Sequence, residues 1–439
     1  MSNRFLETAV AALHTLRCDP GFANPGTRVE RDLFSFSHLE WMRHIGVLDR
    51  TGLTLPLYAR MLTSGDWSRL PSATIKTLEK RRRDNEIRMQ GMQETFGHAA
   101  RALQQAGVQF VCVKGFSLFP EFLEEPWQRH QIDIDLIVAP ADTIRAQAAL
   151  EDTGYEVTAV AEDGERRLRI PVAKALSQDA YLYQQQQGGA IELHSRFWEG
   201  GAEEFRLNCP VDVFEHAEMH TLGSISFLRL PLAEAFFYQV LHVFRHFLGS
   251  WVRPLWLYEI ARFIDRHRDN EALWQRVRMM LLEDPNTARA AALVLLTTNE
   301  LFACFIPTAL EGVCALPDDS PIRLWIRHYA RRWVLTDMAG NKLNLLLQRH
   351  FFSDDRKWRR YLAGRLMPVG ARPVLCEGMD QGIANGFRYR AANLRYRVRR
   401  VWHHLSTDAG FAVANILWEM QLRSRQNARV VPQLRGSQS

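Results

Sequence analysis

The stretch Gln131-Ile132-Asp133-Ile134-Asp135-Leu136-Ile137-Val138 alternates apolar and acidic residues before a continuous apolar end. Side chains alternate across a β-strand, so Asp133 and Asp135 share one face and the intervening apolar residues share the other. Two carboxylates so placed repel each other, and a divalent cation removes the repulsion, since Mg²⁺ prefers oxygen ligands and bridges carboxylates to phosphates. The pair is also compatible with a strand edge whose polar face meets solvent.

A second stretch, Ile191-Glu192-Leu193-His194, alternates in the same way and places Glu192 and His194 on one face. If this strand neighbours the first, Glu192 becomes a third carboxylate beside the pair. Three carboxylates with two metal ions suit phosphoryl and nucleotidyl transfer. One ion activates the attacking hydroxyl, and the other stabilises charge on the phosphates and the leaving group.

The segment Val111-Cys112-Val113-Lys114-Gly115-Phe116-Ser117 precedes the acidic pair. Gly115 lets the backbone approach a phosphate, and Ser117 is placed to open a helix whose N–H groups face an anion. Lys114 adds a positive charge, and Arg129 offers a planar fork for phosphate oxygens. Taken alone, both cations are equally compatible with ordinary surface charges.

Apolar periodicity predicts a small domain of alternating strands and helices between two helical regions. The predicted strands are Val108–Val113, Ile132–Val138, Ala180–Tyr183 and Ala190–Phe197, with a helix at Ala141–Asp152. Predicted helices outside this domain include His38–Leu48, Ser72–Ala106, Ala233–Leu248, Leu255–His267, Glu271–Leu282 and Ile383–His404.

The predicted fold class is therefore α+β, a small mixed-sheet core flanked by N-terminal and C-terminal helical regions. A chain of 439 residues exceeds what one hydrophobic core serves efficiently. The predicted parts are a helical region at 1–100, the α/β core at 101–230, a helical domain packing on the core at 231–320, and a basic Arg/Trp-rich helical region at 321–439.

The net charge of +6 is unevenly distributed, because residues 321–439 hold 22 Lys and Arg against 7 Asp and Glu. Such a region can bind nucleic acid, an anionic membrane surface or acidic substrates, or its arginines can solvate helix faces and pair with the acidic N-terminal part.

One segment interleaves basic and aromatic residues. This pattern occurs in single-stranded nucleic-acid sites, in membrane-surface helices and in helices that cover their own domain. Its members are Phe387, Arg388, Tyr389, Arg390, Arg395, Tyr396, Arg397, Arg399, Arg400 and Trp402.

The six cysteines include no C-x-x-C pair, which argues against a zinc ribbon and a disulfide framework and for a reducing compartment. The N-terminus lacks the pattern of a secretory signal, and no apolar stretch approaches the roughly 20 residues of a membrane span. We therefore expect a cytoplasmic protein without a transmembrane segment.

Lys114-Gly115, Arg129, the strand Asp133–Val138 and then Gly154-Tyr155 together resemble the bacterial uncharacterised nucleotidyltransferase family of the polymerase-β-like superfamily. Three later segments extend the resemblance to roughly residues 35–310. Ile191–His194 is similar to the family's strand ending in E-L-H, Leu241–His246 to its helix with two histidines, and Arg253–Ala261 to the helix that follows, with Glu259 where an Asp is common.

The resemblance implies that residues 101–230 form a nucleotidyltransferase-like core. It also implies transfer of an NMP group from an NTP with Mg²⁺, or Mn²⁺, as cofactor. Asp133 and Asp135 match the metal-binding pair, and Glu192 matches the third acidic position. Lys114-Gly115 stands where other nucleotidyltransferases have Gly-Ser, a departure shared with the family it resembles. The nucleotide-contacting candidates are Lys114, Gly115, Ser117, Arg129 and His194.

The acceptor stays open and includes a sugar, a small metabolite, a protein or an RNA end. Two rival hypotheses also stay open: a catalytically inactive nucleotide-binding or scaffold protein, and a nucleic-acid- or membrane-surface-binding protein that acts through its basic C-terminal half. Nucleic acid is the less favoured partner. The pairs His242/His246 and His216/His220 have i, i+4 spacing, which suits a metal pair on a helix. For His242 and His246 the alternatives are packing over the active-site mouth, contact with the nucleotide, and core packing.

Overall fold

The computed structural model describes residues 3–18, 33–160, 164–171, 182–183, 189–198, 207, 209, 211–249, 252–335, 341–352, 354–366 and 383–436. Internal packing divides the chain into two compact units. The first unit comprises residues 1–172, 177–245 and 253–314, and the second comprises residues 173–176, 246–252 and 315–439.

Ten helices begin within the described part of the first unit. Ser37 and Glu40 form a reciprocal capping box that begins the second helix, and Gly52 ends it in the left-handed conformation. The helices are α1 (Asn3–Thr15), α2 (His38–Thr51), α3 (Thr54–Ser64), α4 (Ser72–Gln105), α5 (Thr143–Glu151), α6 (Leu232–Gly249), α7 (Pro254–Arg266), α8 (Glu271–Leu282), α9 (Pro285–Phe302) and α10 (Thr308–Cys314).

A mixed sheet of seven described strands forms the centre of the first unit. The strands are β1 (Phe110–Val113), β2 (Asp133–Val138), β3 (Glu156–Val160), β4 (Arg166–Arg169), β5 (Ala190–His194), β6 (Glu218–Leu222) and β7 (Ile225–Arg229). Their order is β3-β4-β5-β2-β1-β7-β6. The pairs β2/β5 and β1/β7 are parallel, and the other four pairs are antiparallel. The predicted α+β fold with a mixed sheet between helical regions is confirmed.

Side chains at alternate positions of the central strands project to opposite faces of the sheet, and each face packs against a helix. On one face, Phe96 of α4 packs against Phe110 and Phe227, with ring centroids 6.4 and 4.9 Å apart. On the other face, apolar residues of β1 and β2 pack with Tyr238 of α6. Asp133 and Asp135 share that second face, because they alternate with the buried Ile134 and Leu136.

The second unit is helical in its described part. Its helices are α11 (Pro321–Trp325), which continues through a π-helical turn at Ile326–Ala330 into α12 (Arg331–Val334), then α13 (Asn344–Gln348), α14 (Asp355–Leu366) and α15 (Ile383–Gly436). Phe247 packs edge-on against Trp325 and Trp333. The carbonyl of Phe247 accepts hydrogen bonds from the side chains of Asn344 and Gln348, each at 2.8 Å.

Two local expectations differ from the structure. The apolar run at 180–183 predicts a strand, but Leu182 and Tyr183 form a turn, and residues 180–181 lie outside the described residues. Tyr183 is buried because its ring packs on His130 and its hydroxyl donates to Asp49, so its burial does not come from a sheet. His220 lies on β6, so its spacing from His216 does not place the two on one helix face.

The structure also contains elements that the sequence did not predict, and one helix that is longer than predicted. The hairpins β3/β4 and β6/β7 were not expected, and α15 runs well past the predicted end at His404. The fourfold division at residues 100, 230 and 320 stays a prediction. No helix within the described residues combines the length and apolarity needed to cross a membrane.

Candidate active site

A row of polar side chains crosses the centre of the sheet. Asp135 on β2 lies opposite Glu192 on β5, and Glu192 lies opposite Arg167 on β4. Residues opposite each other on neighbouring strands project from the same face. The pairing of β5 with β2 and with β4 therefore places two carboxylates and a guanidinium side by side, although they are far apart in the chain.

His194 completes a compact group of donor atoms. One ligand atom from each of Asp135, Glu192 and His194 lies within 4.8 Å of the others, and within the described part of the chain no other set of His, Cys, Asp and Glu does this. His194 Nε2 lies 3.0 Å from Asp135 Oδ1. An ionised carboxylate only accepts hydrogen bonds, so this contact places a proton on Nε2.

Lys114 directly follows β1 and contacts the same aspartate. Its backbone has a φ of 58°, and its Nζ lies 2.5 Å from Asp135 Oδ1. Although burial opposes ionisation of Asp135, the Lys114 ammonium and the His194 hydrogen bond hold the pKa of this carboxyl well below its usual range. Burial likewise disfavours the ammonium, but Asp135 raises the pKa of Lys114 above its ordinary value. This pair is therefore ionic.

Ionisation of the other two carboxylates, Glu192 and Asp133, is disfavoured by their surroundings. Burial, followed by the charges of Asp135 and Asp133, raises the pKa of Glu192 to about 7. Burial and Asp135 also raise the pKa of Asp133. Arg167 Nε lies 3.5 Å from Glu192 Oε1 and offsets only part of this charge. Three carboxylates thus share the site with two cations in ion-pair contact, Lys114 and Arg167, and the charge of Arg129 also acts on Asp133.

The donor set fits a divalent cation. Carboxylate oxygens suit Mg²⁺ and Mn²⁺, and an added positive charge relieves the repulsion among the three acids. Because His194 Nε2 donates its proton to Asp135, that nitrogen has no lone pair for a cation, and the carboxylate oxygens are the donors. Asp133 lies two residues before Asp135 on the same face but is not one of the three groups within 4.8 Å.

The loop after β1 is shaped by Gln131. Gly115 has a φ of +48°, and a Cβ placed on it would lie 2.4 Å from Gln131 Nε2. That amide donates to the Asp133 carbonyl at 2.6 Å, so it is held in place. The hydroxyl of Ser117 is buried and donates to the Lys114 carbonyl at 2.9 Å. Gly115 and Ser117 thus hold the backbone that carries Lys114.

Arg129 pairs with an acid outside the carboxylate row, although the charges of Asp133 and Asp135 also act on it. Its Nε donates to Glu259 Oε1 at 2.7 Å, and Gln239 Nε2 donates to Glu259 Oε2 at 2.7 Å. Burial alone would lower the pKa of Arg129, but the Glu259 carboxylate outweighs this and raises it. Of the predicted site residues, Lys114, Asp135, Glu192 and His194 come together, whereas the Arg129 side chain is bound to α7.

Helix α4 fixes the segment that leads into β2. Arg88 Nε donates to the Gln131 carbonyl at 2.9 Å. Asn85 Nδ2 donates to the carbonyls of Trp127 and Arg129 at 2.8 and 3.0 Å. Because these donors hold backbone carbonyls, the position of Asp133 and Asp135 depends on α4 as well as on the sheet.

Three side chains near the site were missed by the sequence-based reasoning. Arg167 lies beside Glu192, and Glu165 Oε2 lies 3.6 Å from His194 Nδ1 and 3.5 Å from an Arg245 nitrogen. The signal for Arg167 was weak because β4 reads Arg-Arg-Leu-Arg and has a single buried position. Arg245 adjoins His246 of α6, and the i, i+4 spacing of the histidines gives no indication of a role for the arginine.

The histidine pairs do not form metal sites within the described residues. His242 packs edge-on against Trp256, with ring centroids 5.0 Å apart. Neither His242 nor His246 belongs to a described group with metal-ligand spacing. The packing interpretation therefore holds for His242.

Comparison with known families adds one finding. The model of a family described as "Uncharacterised nucleotidyltransferase" matches residues 37–303, which is more than half of the chain and includes every strand of the sheet. No curated protein and no solved structure matches the chain. The family description supports a transferase and leaves the acceptor unnamed. The chain belongs to this family of uncharacterised nucleotidyltransferases.

Proposed function

We propose that the protein transfers an NMP group from an NTP to an acceptor hydroxyl, with release of pyrophosphate. The observation that carries the proposal is the register of β2 and β5, which puts Asp135 directly opposite Glu192 with His194 in the same group. A row of acids with adjacent cations on a sheet face suits nucleotidyl transfer, since that chemistry needs charge stabilisation and positioning.

In this proposal Asp133, Asp135 and Glu192 hold Mg²⁺ or Mn²⁺. When bound, the metal lowers the pKa of the acceptor hydroxyl and offsets charge on the phosphates. His194, bonded to Asp135 through its protonated Nε2, orients that carboxylate. Glu192, on the strand next to Asp135, accepts the proton of the acceptor hydroxyl.

Lys114 and Arg167 are the cations proposed to contact the phosphates. Both lie within ion-pair distance of the carboxylate row, at 2.5 Å from Asp135 and 3.5 Å from Glu192. Gly115 and Ser117 act through the loop that carries Lys114. Arg129 acts in the same way, by fixing the segment before β2 to Glu259. We include in this proposal a polymerase-β-like core, a cytoplasmic location and an acceptor that is a sugar, metabolite, protein or RNA end.

The test is calorimetric titration of each of the four NTPs, with Mg²⁺ and with EDTA, into wild type and Asp135→Asn. The exposed Asp152→Asn, at the end of α5, is the matched control. We expect metal-dependent binding of at least one NTP by wild type and the control, and at least about a tenfold loss in Asp135→Asn. Equal binding by all three proteins would overturn the assignment of Asp135.

A second measurement separates binding from turnover. Pyrophosphate release is followed with the NTP that binds, in the presence of pooled sugars, metabolites, RNA and proteins. Release that depends on Glu192 supports the transferase. Tight NTP binding without release would favour the alternative of a nucleotide-binding or scaffold protein, for which the internal Lys114–Asp135 ion pair is the supporting observation.

A further inference from the structure

Helix α15 has one face that packs within the second unit. Trp418 is 1% exposed, and its ring contacts Tyr329 edge-on at 5.9 Å. Earlier on the same face, Asp408 and His404 both contact Lys342, which lies outside this helix. The Nζ of Lys342 bonds to Asp408 and lies 3.0 Å from His404 Nδ1. Since His404, Asp408 and Trp418 recur at helical spacing, they mark one side of the helix.

The opposite side of α15 exposes a continuous apolar stripe. Its members recur at intervals of three and four residues or their sums, so they form one row along the helix. Between its first and last members the stripe spans about 39 Å at 1.5 Å per residue. Six of its members, each 60–72% exposed, are Leu394, Val398, Trp402, Leu405, Ile416 and Met420.

Basic side chains border the first half of this stripe. Arg395 and Arg399 lie along one edge and Arg390 and Arg397 along the other, and all four are exposed. No acidic residue occurs between Arg390 and Leu405. The exposed surface of α15 is therefore apolar along its centre and cationic at its margins.

We propose that this surface of α15 binds an anionic membrane, with the helix lying in the plane of the lipid headgroups. An apolar stripe with tryptophan, bordered by arginines, is the pattern of helices that bury one face at the boundary between headgroups and acyl chains. The arginines supply the attraction to anionic lipids. The opposite face of α15 stays packed on its own unit, so binding requires no unfolding.

The charge and the aliphatic character of this surface argue against two other occupants. A second copy of the chain in parallel pairing would bring two arginine-bordered stripes together, and like charges repel. Single-stranded nucleic acid would satisfy the arginines but would stack on aromatic rings, and the stripe is mostly aliphatic. An anionic bilayer satisfies both the aliphatic centre and the cationic margins.

The test uses the full chain and sedimentation with vesicles of phosphatidylcholine alone or mixed with phosphatidylglycerol. We expect binding to the mixed vesicles and little to the zwitterionic ones. The combined variant Val398→Gln, Trp402→Gln, Leu405→Gln should lose at least about tenfold in partition. Arg395→Gln with Arg399→Gln should weaken binding to the mixed vesicles only.

The matched control is the combined variant Leu39→Gln, Ile144→Gln, Met219→Gln, which changes three apolar residues that are 65–69% exposed on the first unit. It should bind as wild type. The arginine variant, which removes no apolar group, keeps the test informative if the stripe variant fails to fold. Equal binding to both vesicle types, or wild-type binding by the stripe and arginine variants, would overturn the proposal.

Two further results would also overturn it. The first is a solution dimer that the stripe variant converts to monomer, with no vesicle binding by wild type. The second is binding of a single-stranded RNA oligonucleotide by wild type under conditions in which neither vesicle binds. Because none of these measurements uses an NTP, their outcome is independent of the proposed transferase activity.

Discussion

Two groups of charged side chains flank the start of β2, and they differ in how their charges balance. The site group joins Asp133, Asp135 and Glu192 with Lys114 and Arg167, so acids outnumber cations. The support group, Arg129 with Glu259 and Gln239, is one cation, one anion and an amide, with both charges buried. Breaking a balanced buried pair leaves a buried charge without its partner, whereas unbalanced charge stores repulsion that an added cation relieves.

The largest stability effect should come from breaking the support group. Glu259→Ala leaves the Arg129 guanidinium buried without its anion, so the free energy of unfolding should fall by about 3–5 kcal/mol. Urea unfolding followed by circular dichroism measures it. Asp66→Ala, which breaks the exposed pair with Arg69, is the control and should leave the midpoint near that of wild type. A Glu259→Ala midpoint equal to the control's would contradict a structural role.

The next effect tests the loop that carries Lys114. Gly115→Ala and Gly107→Ala both place a Cβ at positive φ, but only the first meets another group, Gln131, within 4 Å. Gly115→Ala should therefore cost about 1–3 kcal/mol more than Gly107→Ala, the usual cost of overpacking. The same urea titration compares them, and equal costs would show that Gln131 moves aside freely.

A pH effect should arise beside the support group. His130 is buried, with Nε2 2.8 Å from the Leu182 carbonyl, and burial followed by the charge of Arg88 lowers its pKa well below 6.5. Below pH 6.5, His130 is therefore protonated in the unfolded chain but stays neutral in the folded chain. The contribution of His130 to the free energy of unfolding is complete above pH 6.5 and decreases as the pH falls below it. Wild type should lose up to about 1.4 kcal/mol per pH unit more than His130→Gln. Parallel slopes between pH 6.5 and 5.5 would contradict this.

The smallest effect belongs to the site group. In EDTA at pH 8, Glu192→Gln should change the free energy of unfolding by less than about 1 kcal/mol, because relief of repulsion from Asp133 and Asp135 offsets the lost contact with Arg167. Asp135→Asn should cost more, since it weakens the contact with Lys114. A large decrease in the free energy of unfolding of Glu192→Gln would instead show that Glu192 stabilises the fold, as the support group does.

Much of the fold follows from local patterns. The bounds of α8 match the predicted Glu271–Leu282, and β2 begins one residue after the predicted start, because amphipathic periodicity is encoded within each segment. The short polar hairpin β3/β4 carries no such pattern. It takes its place in the sheet from pairing with β5, which no local window contains.

The same limit applies to the site. Alternation indicates that Asp133 and Asp135 share a face and that Glu192 and His194 share another, but only the parallel register brings the two strands together. The partner of Arg129, Glu259, lies 130 positions away on α7. Lys114 reaches Asp135 from a backbone at positive φ, a conformation that a lysine rarely adopts and that sequence therefore does not suggest.

The parallel pairing of β2 with β5 also has a consequence for folding. His194 and Asp135 are 59 positions apart, so their contact closes a long loop and forms only after that entropy has been lost. No fragment that ends before β5 contains the complete site. Any ligand that binds the carboxylate row therefore selects chains whose central sheet is assembled, and it should protect strands β2 and β5 from proteolysis by raising the cost of opening that sheet.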